Sequence, residues 1–338
     1  LEPPAQAGPG NIEAERLDLI FRAQTNRGVG RAADDSPDLS PQEIEKETRM
    51  AYEYILYGVE KRIATITLNR PEKLNAVHDA MRAEISAAYA EAARDDAVKV
   101  VILKGAGPCF SAGHDLQAVG RPYGFNDGRT EEERSRRPSQ RVRLRRDRWI
   151  AEIWRDILVH PKITIAQIHG HCLGGSSLMQ LCCDVAVAAE DATLGHPEYR
   201  LVGPKVSLLQ MLIMGLRRAN FVCYTGRKFT GREAERLGLV SLAVPADKLE
   251  EEVRTMAQSF AQFPADGIAI GKAITHQALE ALGVTRAFSQ WYMGHTLGTN
   301  IQFEQEDHNF FRERREKGAK AAFHERDARF DKPGKAKR

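Results

Sequence analysis

The chain has 338 residues, of which 42% are hydrophobic and 28% are charged, and its formal net charge is +3. This length allows one large domain or two of ordinary size, and the composition excludes an intrinsically disordered chain. The small net charge argues against a protein that binds nucleic acid through its whole surface.

The cysteine content and the hydropathy pattern bear on the compartment. The sequence has five cysteines, an odd number, and most of them lie in apolar runs without the spacing of a zinc site. No apolar run reaches the roughly 18–20 residues of a membrane helix. We therefore expect an intracellular protein with reduced thiols and no membrane span; a bacterial cytoplasm is favoured, and a mitochondrial matrix is the alternative.

Residues 1–49 differ in composition from the rest of the chain. They contain clusters of proline and glycine, and Met50 is followed directly by a strand-like run. We expect these residues to be an N-terminal extension, either flexible or added during cloning, with Met50 as the natural start. The alternative is a native N-terminal arm with a helix near Ile12–Ala23.

Strand and helix patterns alternate over residues 50–245, which we expect to form the core. Tyr52–Val59 and Arg62–Leu68 are short runs of β-branched and aromatic residues, and the turn between them predicts a hairpin. Asp79 is expected to cap an alanine-rich helix that ends near Ala93 and has one apolar face. That face is formed by Met81, Ile85, Ala88 and Ala92.

Further apolar runs in the core predict buried strands and a buried helix. The strands are Val98–Lys104, Ile163–Ile168 and Asp184–Ala188, and the helix is Gly174–Cys183. Strands that are separated by helices imply crossover connections and a largely parallel sheet. The fold class that these patterns predict is α/β.

Two regions depart from this alternation. The segment 117–161 is a long, polar and arginine-rich insertion that ends in an amphipathic stretch, Trp149–Val159. Because it lies between two core strands, we expect a lid or an interface helix and not a separate domain. Residues 246–338 form a C-terminal helical region that ends in a basic tail, Lys332–Arg338. The helices predicted there are Leu249–Phe263, Gly267–Ala281, Thr285–Tyr292 and Glu304–Arg315.

Three glycine-containing turns are candidates for a small-molecule site. They are Cys109–Leu116, His169–Ser177 and Gly195–Tyr199. Glycine lets the main chain approach a ligand closely, and the second turn opens a helix, whose N-terminus presents free N–H groups and a positive dipole. The first two turns follow strands and can direct their N–H groups at one oxygen, which makes an oxyanion hole. The third turn places the carboxylate of Glu198 beside a proline.

The segments around these turns are similar to those of the enoyl-CoA hydratase/isomerase family, also called the crotonase family. The resemblance rests on Leu68–Ala76, Phe110–Leu116, Gly170–Gly175, Gly195–Glu198 and Leu237–Val240. Their order and spacing match the family from about residue 52 to residue 263. The resemblance implies an α/β spiral of repeated β-β-α turns with a C-terminal helical region that serves as a lid or in trimerisation. The expected assembly is a homotrimer or a dimer of trimers.

The resemblance also implies roles for individual residues. The main-chain N–H groups of His114 and Gly175 would hold the thioester oxygen of an acyl-CoA substrate, and Glu198 would be the general acid and base. The other candidate residues would bind the substrate and its coenzyme A: Leu74, Ala76, Ser111, Ala112, Asp115, Leu116, His171, Gly174, Leu178 and His196. Coenzyme A would be part of the substrate, and we expect no permanently bound cofactor, no metal and no nucleic-acid partner.

One departure from the family concerns the second carboxylate that its hydratases use. That glutamate would fall on Leu178, which leaves Glu198 alone. Hydration divides water activation and proton delivery between two carboxylates, whereas one carboxylate suits the removal of a proton from one carbon and its return to another. The sequence therefore favours isomerisation of a Δ3-enoyl-CoA to a Δ2-enoyl-CoA. A structural ion pair between Glu198 and Arg200 is the alternative to a catalytic role.

Histidines and basic residues leave further functions open. His114, His171 and His196 lie on the three turns, and histidine titrates near neutral pH. One of them could replace the missing carboxylate in a hydratase or serve a C–C bond hydrolase that cleaves diketones; a non-catalytic acyl-CoA-binding protein is another alternative.

Lys205 replaces a small residue where the acyl chain often passes in the family. The arginines of the insertion belong either to a solvated or intersubunit face or to a contact with the coenzyme A phosphates.

Overall fold

The computed structural model of the protein describes residues 52–115 and 138–331. Its strands are β1 (Ile55–Glu60), β2 (Ile63–Leu68), β3 (Val100–Gly105), β4 (Ile163–Ile168), β5 (His171–Leu173), β6 (Val185–Ala189), β7 (Thr193–Gly195), β8 (Lys228–Thr230) and β9 (Leu242–Val244). Its α-helices are α1 (Asp79–Arg94), α2 (Gln140–Leu158), α3 (Gly175–Leu181), α4 (Tyr199–Val202), α5 (Leu208–Met214), α6 (Leu216–Thr225), α7 (Gly231–Leu237), α8 (Leu249–Phe260), α9 (Ala265–Ala281), α10 (Val284–Gly298), α11 (Phe310–Lys317) and α12 (Ala319–Asp331). The predictions for the N-terminal extension, for Leu116 and for the basic tail lie outside the described residues.

The strands form two sheets. Six of them make one sheet in the order β1-β2-β3-β4-β6-β9, in which β1 and β2 are antiparallel and the other neighbours are parallel. The predicted hairpin and the largely parallel sheet are therefore confirmed. The second sheet contains β5, β7 and β8. The sequence predicts a turn where β5 lies, because a strand of three residues is too short to show a hydrophobic pattern.

The core of the protein is the larger sheet and the helices packed on it. Val100, Leu103, Ile165 and Ala188 are completely buried, as expected for parallel strands that helices cover on both faces. The helix α8 packs against β3, β4 and β6. Burial of each large aliphatic side chain contributes roughly 1.5–3 kcal/mol. The ends of β3 and β4 are therefore rigid supports for the turns that follow them.

The helix α1 has the predicted apolar face but a different cap. The residues expected on that face, Met81, Ile85, Ala88 and Ala92, are all buried. The prediction that Asp79 caps the helix is wrong, because the Nδ1 of His78 accepts the Met81 N–H (3.0 Å) and makes His78 the N-cap. Asp79 instead begins the first turn, where its carboxylate binds two arginines, Arg82 and Arg146.

The described part of the basic insertion is one long helix, α2, that runs along α10. Its amphipathic end buries Ile150, Ile153, Trp154 and Ile157. Arg143 is also buried, and its guanidinium donates to the carbonyl oxygen of Thr296 in α10 (3.0 Å). Arginines of this helix therefore take part in contacts within the chain and are not simply a solvated surface.

The C-terminal helices differ from the prediction at their end. The helix expected over Glu304–Arg315 begins only at Phe310, because the side chain of Asn309 accepts the N–H of Arg312 (3.0 Å) and caps it there. The structure adds α12, a helix that was not predicted. This last helix packs against α4, next to the third glycine-containing turn.

The structure also bears on the cysteines and on membrane insertion. All five cysteines are buried and none is in a disulfide. Within residues 52–115 and 138–331, no helix combines the length and the apolar character that crossing a membrane requires.

Candidate active site

The candidate site begins at the start of α3. Gly174 precedes this helix with a φ of +59°, a conformation that favours glycine. Its N–H donates to the carbonyl oxygen of Gly195 (2.9 Å), which ties the turn to β7. The next N–H, that of Gly175, donates to no other residue in the described part of the chain. A free N–H in the first turn of a helix is available to an oxygen of a ligand.

The loop that follows β3 lies beside this turn. The N–H of Ser111 donates to the carbonyl oxygen of His171 (2.8 Å), and its own carbonyl accepts the Leu173 N–H (3.1 Å). Gly113 has a φ of +97° and packs so tightly on β5 that a Cβ there would lie 2.5 Å from the Leu173 oxygen. The N–H of His114 has no acceptor among the residues that the structure describes. Two free N–H groups are thus brought together by the loop and by α3.

Glu198 lies against the same turn. Its carboxylate packs on Gly174, where an added Cβ would be 3.2 Å from Oε2. The Nδ1 of His196 is 3.0 Å from Oε1, and the His196 ring is fully buried and stacks on Tyr199. An ionised carboxylate only accepts hydrogen bonds, so the His196 Nδ1–H donates to it. His196 therefore orients Glu198 from a position that is shielded from solvent.

Arg200 binds other partners than Glu198. Its guanidinium pairs with Asp327 (3.4 Å) and Asp331 (2.9 Å) of α12, and its Nε donates to the carbonyl oxygen of Thr225. The hypothesis of a structural ion pair between Glu198 and Arg200 is therefore wrong. The sequence does not reveal this, because the two aspartates lie 127 and 131 residues further along the chain.

The side chain of His114 reaches from the loop to α1. Its Nδ1 contacts the Nη2 of Arg82, whose side chain is completely buried. The same guanidinium binds the carboxylate of Asp79 and the carbonyl oxygen of Val77. Burial, and after it the positive charge of Arg82, lowers the pKa of His114 well below its ordinary value. The imidazole of His114 is therefore neutral near pH 7.

Leu178 lies one turn into α3 and is half-buried. It lines an apolar cavity between α2, α3, α5 and α10, together with Trp154, Leu209, Phe288 and Trp291. A carboxylate at this position would lose its hydration against aromatic walls, which is costly without a partner. The surroundings of Leu178 are therefore built for an apolar side chain.

A half-buried charged group, Lys205, interacts electrostatically with Glu198. Lys205 is half-buried, and its ammonium packs on Gly298, where a Cβ would collide with Nζ. Burial lowers the pKa of Lys205, although the carboxylates of Glu198 and Asp147 act in the opposite direction. Asp147 is itself fully buried and accepts a hydrogen bond from the hydroxyl of Thr296 (2.6 Å). The prediction that Lys205 borders the acyl site is consistent with its electrostatic contact with Glu198.

Four of the predicted substrate-binding residues form a connected loop pair. The N–H of Ala112 donates to the carbonyl oxygen of Leu74 (2.9 Å), and the carbonyl of Ala76 accepts from Arg70. The same Arg70 guanidinium pairs with Asp115 (3.0 Å). These contacts hold the segment after β2 against the loop after β3.

The remaining predicted residues take different positions. The hydroxyl of Ser111 is buried and donates to the carbonyl oxygen of Asn75 (2.8 Å), so it stabilises the loop from inside. The His171 side chain is exposed on β5. In the described residues, no group of three or more His, Cys, Asp or Glu side chains is placed to hold a metal ion.

Arg82 and Asp147 are residues of the site region that sequence reasoning missed. Arg82 precedes Ile85 by three positions and so lies on the buried face of α1, where a charged residue needs a partner. That spacing was a usable signal. Asp147 follows several arginines in the basic insertion, and nothing local to the sequence distinguishes it from a surface residue.

The chain is similar to known proteins over most of its length. The sequence model of the family described as enoyl-CoA hydratase/isomerase matches residues 58–320. A probable enoyl-CoA hydratase of Mycobacterium bovis is 32% identical over 235 residues, which cover 69% of this chain and 84% of the relative. A hydroxycinnamoyl-CoA hydratase-lyase of Pseudomonas fluorescens is 31% identical over 204 residues, 60% of this chain and 70% of the relative.

The fold has the same relatives among solved structures. An enoyl-CoA hydratase/isomerase from Xanthobacter autotrophicus Py2 matches with a TM-score of 0.70 and 33% identity, covering 82% of this chain and 99% of that one. A probable enoyl-CoA hydratase from Mycobacterium smegmatis matches with a TM-score of 0.63 and 32% identity, covering 72% and 94%. The family model, the relatives and the shared fold agree with the strand-end turns described above, and the chain belongs to the enoyl-CoA hydratase/isomerase, or crotonase, family.

Proposed function

We propose that this protein catalyses proton transfer on an acyl-CoA thioester through an enolate intermediate. In this proposal the main-chain N–H groups of His114 and Gly175 bind the thioester oxygen, and Glu198 is the general acid and base. The observation that carries it is the packing of the Glu198 carboxylate on Gly174, directly before the free N–H of Gly175. A base from the turn after β7 thereby lies against the turn that carries an oxyanion donor.

The physical reason is the charge that develops during the reaction. Removal of a proton next to the thioester carbonyl builds negative charge on its oxygen, and two fixed N–H donors stabilise this charge more strongly than the neutral carbonyl. These donors do not have to move as the charge develops, because hydrogen bonds that involve Leu173, Gly195 and Ser111 already hold the loop and the turn in place. The hydrogen bond from His196 keeps the Glu198 carboxylate in one orientation.

Within this chemistry we propose enoyl-CoA isomerisation, with Glu198 removing a proton from one carbon and returning it to another. The support is the surroundings of Leu178, which takes the place of a second glutamate and lines an apolar cavity. The nearby carboxylate of Asp147 is already bound by Thr296 and lies 3.2 Å from the Nδ1 of His295. A single available carboxylate suits a proton shuttle.

Hydration of an enoyl-CoA is the second candidate, and the names of the relatives favour it. The Mycobacterium bovis and Mycobacterium smegmatis proteins are both described as probable enoyl-CoA hydratases. In this case a group other than a carboxylate at Leu178 would position the water. In both reactions coenzyme A is part of the substrate, and no permanently bound cofactor is proposed.

We also propose that the protein assembles as a homotrimer or a dimer of trimers. The support is the set of large apolar side chains that α9 and α10 expose in the single chain. Ile270, Ile274 and Leu297 are 61%, 66% and 73% exposed, respectively. Ile270 and Ile274 are one helical turn apart and so share a face of α9, and exposed apolar faces of this kind are typical of subunit interfaces.

The test is a turnover assay in ¹⁸O-enriched water with Δ2- and Δ3-enoyl-CoA thioesters of several chain lengths, read by mass spectrometry. Isomerisation predicts migration of the double bond without uptake of ¹⁸O. The variant Leu178→Glu, compared with the uncharged Leu178→Gln, should gain ¹⁸O-labelled 3-hydroxyacyl-CoA. Labelled product from the unaltered protein would assign it to hydration instead, and turnover of neither substrate set would contradict the proposed function.

A further inference from the structure

His114 borders the candidate oxyanion hole with its side chain as well as with its main chain. The imidazole lies across Gly175, where an added Cβ would be 2.6 Å from Cε1 and 2.9 Å from Nε2. Gly175 carries one of the two free N–H groups, and His114 itself carries the other. The Cε1 end of the ring, with Nε2 on one side of it and Nδ1 on the other at 3.1 Å, therefore faces the residue that holds the oxygen in the proposed function. Which of the two nitrogens carries a proton then decides whether the ring can donate to that oxygen.

Arg82 decides which nitrogen of His114 carries the proton. Its Nη2 is within hydrogen-bond distance of Nδ1 (2.5 Å), and a guanidinium is always charged and only donates. Nδ1 must therefore be the accepting nitrogen, without a proton of its own. The position of Arg82 is fixed, because its side chain is buried and also binds Asp79 and the carbonyl oxygen of Val77. In a neutral imidazole, the single proton is then on Nε2.

The charged and titratable groups around the ring keep it neutral. After burial, the groups that lower the pKa of His114 are Arg82 of α1, His295 of α10, Arg146 of α2 and His196 of the turn after β7. Asp79 is engaged by both arginines and does not contact the imidazole. A neutral imidazole with a fixed N–H can polarise a carbonyl oxygen as an electrophile, a use that enzymes make of histidines with lowered pKa values.

We propose that the Nε2–H of neutral His114 donates a third hydrogen bond to the thioester oxygen, beside the main-chain N–H groups of His114 and Gly175. Arg82 is the positioning residue that fixes this tautomer. The inference rests on the proposed function, because it needs an acyl-CoA enolate at this place. It also excludes His114 as the general base, since the lone pair of Nδ1 faces Arg82 and Nε2 holds the proton.

The deciding experiment measures exchange of the α-hydrogen of butyryl-CoA in D₂O. This reaction requires only enolate formation, so it involves the thioester oxygen and no other oxygen of the acyl group. We compare the unaltered protein with His114→Phe, which keeps a ring but no donor, and with His114→Gln, which keeps an N–H in place of Nε2–H. Loss of one oxyanion donor typically lowers the rate by about 10²–10³-fold. We expect a fall of this size in kcat for the Phe variant, little change in KM, and substantial rescue by Gln.

The outcomes separate the inference from the proposed function. Equal exchange by the Phe variant and the unaltered protein would overturn the third donor while leaving the enolate chemistry intact. No exchange by the unaltered protein would overturn the proposed function and the inference with it.

Because His114→Phe leaves an Arg82 donor without its acceptor and so destabilises the fold, the tautomer is also measured in the unaltered protein by ¹⁵N NMR of the histidine side chains. A proton on Nε2 and no second protonation between pH 6 and 8 is expected; a proton on Nδ1 or a cationic ring near pH 7 would overturn the assignment.

Discussion

The two halves of the candidate site are built from different parts of the chain. The amide half consists of the main-chain N–H groups of His114 and Gly175, which hydrogen bonds between the loop after β3, β5 and β7 hold in place. The proposed acid/base half is the carboxylate of Glu198, with Leu178 at the position that the family resemblance implies for a second carboxylate. A single substitution can remove the acid/base group of the second half, whereas the two main-chain donors of the first half can be altered only by moving the main chain; the proposed side-chain donor of His114 adds to them.

This difference explains how the family fold can serve more than one reaction. In the proposed function the amide half stabilises an enolate whichever step follows, because its two main-chain donors are present whatever the side chains are. The acid/base half decides where protons go, and here it departs from the hydratase pattern at Leu178. Removing a group from each half should therefore have different consequences for turnover.

The largest effect is expected in the acid/base half, for Glu198→Gln. The amide keeps the shape of the side chain and can still accept the His196 hydrogen bond, but it cannot take up a proton. General acid–base catalysis typically contributes 10²–10⁴-fold, so kcat should fall by about 10³-fold with an unchanged melting temperature. The matched control is Glu190→Gln, which removes a carboxylate paired with Arg232 on the surface and should keep full activity. Full activity of the Glu198 variant would remove Glu198 from the mechanism.

A smaller effect is expected in the amide half, for Gly175→Ala. The new Cβ would lie 2.6 Å from the His114 ring, so the ring or the turn must shift. Misplacement of catalytic groups by about 1 Å can cost about 10²-fold in rate, and we expect kcat to fall by that order while substrate binding changes less. The control is Gly271→Ala in α9, where a Cβ meets no atom within 4 Å.

The control variant Gly271→Ala should itself change the stability of the protein. Glycine inside a helix is less favourable than alanine by roughly 0.5–1 kcal/mol, so Gly271→Ala should raise the free energy of unfolding by about this amount and leave kcat unchanged. If Gly175→Ala behaved like Gly271→Ala in both measurements, the close packing of His114 on Gly175 would have no catalytic role.

The sequence predicted the parts of this site that depend on local patterns. The strands β3 and β4 show as apolar runs, and the glycines at 113, 174 and 175 mark turns in which the main chain makes close contacts. Because these turns follow strands of one parallel sheet, their convergence could be expected before the structure was known. The third turn also marked Glu198, but its role as general acid and base was predicted only through the family resemblance.

Contacts between residues distant in the sequence were not predictable in this way. Arg82 and His114 are 32 residues apart, and their pairing depends on how α1 lies over the loop after β3. The partners of Arg200 belong to α12, a helix with no clear amphipathic pattern. Charged residues could pair with many partners of opposite charge, and only the packing of the helices selects one.

The last prediction concerns the pH dependence of stability, and it tests whether the side chain of His114, beside the amide half, is neutral. Burial and the charge of Arg82 lower the pKa of His114, so below the unfolded-state value of about 6.5 the unfolded chain binds a proton that the folded chain does not. The contribution of this residue to the free energy of unfolding must therefore fall as the pH is lowered from 7 to 5. His160 contributes with the same sign, since burial also lowers its pKa.

Urea unfolding at several pH values separates the two histidines. Both His114→Gln and His114→Phe remove the titrating group, so both should show a shallower loss of stability between pH 7 and pH 5 than the unaltered protein, whatever their stability at pH 7. The part that remains in these variants is assigned to His160 and the other titrating groups. If the slope were the same in all three proteins, His114 would take up its proton equally in the folded and unfolded chain, and the neutral imidazole beside Gly175 would have to be abandoned. The amide half would then contain only the main-chain N–H groups of His114 and Gly175 as donors. It would therefore differ from the acid/base half in using no side chain at all.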